Sequence, residues 1–174
     1  MMEMLYRLFL TLNSTYLIIV IFLVKGRYYI EILGKDLMYL SWIIFVLIPV
    51  LFTALSFLVA KSLPNDNISK DSVIEVELGN NTFLPTYLGY FFVSLSVNNC
   101  STLIVVFFII YVFTFLSQSL YFNPIFLLFG YQFYFIKTNK NSKIFLITKK
   151  QLKTPNIENF GNLKRINNYT FLDI

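Results

Sequence analysis

The chain has 174 residues, 57% of them hydrophobic and only 13% charged, with a net charge of +5. Soluble domains carry roughly 25% charged residues, so this composition excludes two independent soluble domains and points to an integral membrane protein with a modest water-facing part. Histidine is absent and Cys100 is the one cysteine, which removes the commonest general base, an internal disulfide and a thiolate metal cage.

In chain order, the first apolar segment runs from about 5 to 24 and ends at Lys25-Gly26-Arg27. No small-residue cleavage site follows it, so it reads as an uncleaved anchor. Asn13, Ser14 and Thr15 lie mid-segment, where lipid offers no hydrogen-bond partner and a neighbouring helix would. The second segment, about 37 to 60, has Trp42 near one end, Pro49 in the middle and the small pair Ser56 and Ala60. Trp favours the interface, Pro should kink the helix, and small residues let another helix approach.

Residues 61 to 83 are polar. Pro64-Asn65-Asp66-Asn67 reads as a turn, and 72–78 as a short strand with Glu75 and Glu77 on one face. From Leu78 to Ile136 no Asp, Glu, Lys or Arg occurs. A helical crossing needs about 20 apolar residues, so this run has room for two. Segments 85–97 and 103–120 read as a helical hairpin turning at Asn98-Asn99. A re-entrant third segment is the alternative, sheltered by protein. Residues 125–129 are too short to span and read as an interfacial piece or a cap on the fourth helix. Tyr131 to Ile136 and Ile144 to Thr148, around an Asn/Lys/Ser turn, read as a β-hairpin. An isolated hairpin is marginal, and the 72–78 strand is the available partner. Residues 151–174 are polar and Asn-rich, with little periodicity, and read as a tail that folds on a partner or stays disordered.

Past Ile136 there are eight basic and two acidic residues. This basic tail reads as a topology and lipid-contact signal that keeps it cytoplasmic, with nucleic-acid binding as the sharper alternative. Four crossings place the N-terminus, the 61–83 loop and the tail together, and unite the three strands in one small sheet. Three crossings fit the loop charges slightly better, but leave the charge-free run with one span and a re-entrant piece.

No catalytic constellation is visible. The nine acids are scattered through loops, and none marks an intramembrane relay. There is no P-loop, zinc spacing or dinucleotide fingerprint. Cys100 reads as a small buried filler in preference to a reactive thiol. Asn13, Asn98, Asn99, Gln118 and Asn123 read as helix-to-helix hydrogen-bonding groups, with a pore lining as the alternative. Tyr87, Tyr90, Phe91 and Phe92 read as an aromatic belt.

The stretch Asn123-Pro124-Ile125-Phe126-Leu127-Leu128-Phe129-Gly130-Tyr131, then Phe133-Tyr134 and Leu146-Ile147-Thr148-Lys149-Lys150, resembles KwaA, the membrane subunit of the bacterial Kiwa anti-phage system. Residues 87–96 are similar to that family's third-helix region. The resemblance covers roughly 85 to 150. It implies a four-helix membrane protein that oligomerises and holds a cytoplasmic DNA-binding partner, KwaB. It further implies that the assembly senses phage attack at the envelope and restrains phage DNA replication and late transcription.

The expected fold is therefore an integral membrane all-α bundle of four transmembrane helices with a small cytoplasmic β-hairpin or sheet. Residues 1–130 form the membrane domain and 131–174 the cytoplasmic hairpin and basic tail. The expected function is a non-enzymatic, homo-oligomeric scaffold and sensor in the bacterial inner membrane, without cofactor, metal or direct nucleic-acid contact. Its C-terminus is cytoplasmic, and Tyr131, Phe133, Lys149 and Lys150 bind a KwaB-like partner. A channel or holin-like effector, or an accessory transporter subunit, is the alternative.

Overall fold

Residues 2–32, 35–68, 73–117, 123–153 and 160–174 are described by a computed structural model of the chain. The first apolar segment forms α1 (Met2–Thr15) and α2 (Leu17–Lys25), joined at Tyr16. The hydroxyls of Ser14 and Thr15 both donate to the Thr11 carbonyl, at 2.9 Å each. Such side-chain bonds compete with the helical ladder, and the join follows them directly. A short hairpin, β1 (Glu31–Ile32) and β2 (Lys35–Asp36), leads to α3 (Met38–Ala60), which runs through Pro49. Ser41, Pro49, Thr53, Ser56 and Ala60 form its buried stripe, while Leu51, Leu55 and Leu58 face outward.

After α3 come β3 (Asn65–Ile68) and β4 (Val73–Leu78), then α4 (Leu84–Ser96) and α5 (Cys100–Ser117). The turn falls at Asn98-Asn99 as expected, where the Asn99 side chain accepts the Thr102 backbone N–H at 2.8 Å. One turn of helix, α6 (Ile125–Leu128), precedes β5 (Gln132–Thr138), β6 (Lys143–Thr148), β7 (Phe160–Arg165) and β8 (Thr170–Asp173).

The expectation of an all-α bundle with four transmembrane helices does not hold. Among the described residues three helical stretches, Met2–Lys25, Met38–Ala60 and Cys100–Ser117, are long and apolar enough to cross a membrane. α4 has 13 residues, about 20 Å of helix against a hydrocarbon core of about 30 Å. It nevertheless ends level with α2, because Lys25 Nζ donates to the Leu95 and Val97 carbonyls at 2.5 and 2.9 Å. That ammonium satisfies carbonyls left open at the helix C-terminus.

The second correction is the size of the sheet. It has six strands in the order β3-β7-β8-β6-β5-β4 and is mixed, β6 and β8 being parallel. The expected hairpin is present, with Phe135 opposite Phe145, and β4 pairs with β5 as the strand pattern suggests. Residues 65–67, read as a turn, belong to β3. The tail, read as aperiodic, supplies β7 and β8. β8 carries only Phe171 and Leu172 as apolar residues, too short a run to register by alternation. Burial between β7 and β6 stabilises it.

One face of the sheet packs on the end of the bundle. Tyr131, Phe133, Phe145, Ile147 and Leu172 meet Tyr6, Leu10, Ala60 and Phe126. The opposite face buries Tyr134, Ile136, Ile144, Leu146, Leu163 and Phe171, with Leu152 packed against them. Within the piece at 125–129, Phe126 is fully buried in the junction and Leu128 is 76% exposed. Cys100, expected as a buried filler, is exposed.

Candidate functional site: the helix–sheet junction

Asn123-Pro124 opens the junction. Asn123 Oδ1 accepts the Ile125 backbone N–H at 3.0 Å, which starts α6. Its Nδ2 donates to Thr53 Oγ1 at 3.0 Å, and Asn13 Nδ2 donates to the same oxygen at 2.7 Å. Thr53 Oγ1 in turn donates to the Pro49 carbonyl at 2.8 Å. One hydroxyl thus fills its one donor and two acceptor positions. It ties α1 and α3 to the start of α6. Asn13 and Asn123 behave as bridging groups, as read from the sequence. Gln118 lies outside the described residues.

α6 closes on Gly130, whose φ of +79° is left-handed, a conformation costly for any residue with a Cβ. From there β5 begins inside the core. Tyr131 is buried and stacks on Phe57 of α3, centroids 4.6 Å apart and 14° from parallel. Phe133 is fully buried and stacks on Phe145 at 5.7 Å and 10°. Its backbone N–H reaches Asn80 Oδ1 at 2.9 Å. Gly79 donates to the Phe133 carbonyl at 2.7 Å, and a Cβ there would lie 3.1 Å from the Phe135 ring. Burial, and then the carboxylate of Asp173, push the Tyr131 hydroxyl above its usual pKa.

The four expected partner-binding residues therefore separate by depth. Tyr131 and Phe133 are interior. Lys149 and Lys150 are exposed where β6 leaves the sheet. Lys149 Nζ lies 4.9 Å from the Tyr131 ring centroid, so the buried ring positions the exposed cation. Thr148 Oγ1 donates to Asp173 at 2.7 Å and accepts the Lys150 backbone N–H at 3.1 Å. The backbone under both lysines is thereby fixed to the end of β8.

The basic tail divides in the same way. Lys164 Nζ donates to the carbonyls of Lys61 and Leu63 at 2.8 and 3.1 Å, closing the C-terminus of α3. Arg165 pairs with Glu3 at 3.3 Å. These two cations staple the sheet to the helices, a use that no local pattern signals. Lys137, Lys140, Lys149, Lys150 and Lys153 are exposed. Among the described residues no group of three or more His, Cys, Asp or Glu could hold a metal. What the junction presents chemically is the exposed pair Lys149 and Lys150 at the end of β6.

A family model described as anti-phage protein KwaA matches residues 6–172. No curated protein and no solved structure matches the chain.

Proposed function

This chain belongs to the KwaA family of anti-phage proteins, and from that membership we propose that it is a non-enzymatic membrane scaffold and sensor. It crosses the bacterial inner membrane, assembles with further copies, and holds a KwaB-like DNA-binding partner on the cytoplasmic side. The observation that supports this reading best is the joining of one sheet to one end of the apolar helices. The strands between α3 and α4 and those after α5 meet in that sheet, and Glu3 near the N-terminus reaches it through Arg165. The start of the chain, the strands between α3 and α4 and the tail thus lie at one end. The excess of Lys and Arg there supports a cytoplasmic location for that end, by the positive-inside tendency.

Lys149 and Lys150 are the contact residues of the proposal, and Tyr131 and Phe133 position them from beneath. The test is a mild-detergent pull-down of tagged protein expressed with its neighbouring genes. Lys149→Glu/Lys150→Glu should lower recovery of the partner by about tenfold or more, the size of losing close interfacial charge pairs. Membrane insertion should be unchanged. Full recovery with both charges reversed would move the contact elsewhere on the sheet.

A further inference from the structure

The bundle-facing side of the sheet continues past the helices that cover it. Tyr131, Phe133, Phe135 and Lys137 share that side by the period of two. Residues directly opposite across antiparallel strands share a face. Glu75 opposes Lys137, Glu77 opposes Phe135, and Lys143 opposes Lys137. The face is therefore apolar under α1 and α3 and becomes charged where it emerges beside α5. Lys143 Nζ lies 3.3 Å from Glu77 Oε2 and 4.4 Å from the Phe135 centroid.

Two cavities meet at Phe135 and Lys143. One, of about 450 Å³, is bounded also by Leu116, Phe145 and Tyr169. The other, of about 260 Å³, is bounded also by Glu75, Glu77 and Lys137. The first opens along the last turn of α5, where Phe113 and Leu116 are 68% and 64% exposed. It is thus continuous with the outward apolar face of that helix. The second offers two cations and two carboxylates within one small space.

We infer that this pair of cavities is a binding site for one zwitterionic aminophospholipid from the leaflet nearest the sheet. An acyl chain lies along Leu116 and Phe145, the phosphate faces Lys143 and Lys137, and the ammonium faces Glu75 and Glu77. Three features select this occupant. The apolar cavity opens laterally beside a lipid-length helix. The charged cavity lies on the sheet face turned toward the bundle, hence toward the bilayer. Its mixed charge suits a headgroup of both signs, whereas a purely anionic headgroup would meet the two carboxylates. The inference rests on the membrane reading proposed above.

The experiment uses the full chain in nanodiscs containing photoactivatable phosphatidylethanolamine or phosphatidylglycerol, with labelled peptides mapped by mass spectrometry. The ethanolamine probe should label residues near 116–117, 143–145 and 169–170 more than the glycerol probe does. Leu116→Trp, which fills the apolar cavity, should abolish that labelling and leave labelling near Phe108 intact. Lys143→Ala should reduce it by about two- to five-fold, the worth of one exposed ion pair. Equal labelling by both probes, or labelling spread evenly along α5 and indifferent to Leu116→Trp, overturns the inference. Loss of the chain from carbonate-washed membranes would instead overturn the membrane reading beneath it.

Discussion

Thr53 shows how far a single residue reaches in this protein. Its hydroxyl joins residues 40 and 70 positions away in sequence. Thr53→Val keeps the shape and leaves two buried amide N–H groups without their acceptor, at a cost of about 1–3 kcal/mol. Thermal unfolding in detergent should show the loss, and Thr53→Ser should restore most of it. The sequence marks Asn13 and Asn123 as polar groups in an apolar setting, but their shared acceptor is invisible until α1, α3 and α6 are packed together. Tyr131 carries a second prediction. Its hydroxyl is held above the usual pKa, so the folded chain keeps this proton where the unfolded chain releases it. The stabilising contribution is whole below the unfolded value of about 10 and declines as pH rises through the folded one. A tyrosinate absorbance titration should find Tyr131 ionising later than in Tyr131-containing peptides, and ionisation at the peptide value would contradict the burial described.

Among the elements, α4 and β8 were the least legible. The apolar run around α4 has the composition of a span, but Gly79-Asn80-Asn81 and Asn98-Asn99 bound it too closely. Lys25 then holds its end in place from α2. Lys25→Met removes that cation from the α4 C-terminus and should raise hydrogen exchange over 93–97 while leaving the sheet protected. For β8 the missing signal is tertiary, since a four-residue strand parallel to β6 has no local period or turn to announce it. It lies between β7 and β6, so truncation after Asn168 removes the strand joining both halves of the sheet. We expect that truncation to leave the apolar helices in the membrane, expose β6 to limited proteolysis and abolish partner recovery. Undiminished protease resistance would show that β8 is dispensable.

At the scale of the whole molecule, the helices and the sheet share one core, since Tyr6 and Leu10 of α1 pack in the same cluster as Phe145 and Leu172. A change in how α1 sits against α3 is therefore felt at the base of β5. That coupling is what the proposed sensor would require of a docking sheet joined to its helices. The hairpin and the apolar segments were legible because alternation and long charge-free runs are local. The stapling of Lys164 and Arg165 to α3 and α1 was not, because it joins residues more than 100 positions apart. The most direct test is to purify the tagged full chain from bacterial membranes in mild detergent, expressed with its neighbouring genes, and identify what accompanies it. A soluble DNA-binding protein retained by the wild-type sheet and released by Lys149→Glu/Lys150→Glu is the predicted result. Recovery of self-oligomers alone, with ion conductance from the purified chain in liposomes, would contradict the scaffold and favour a channel.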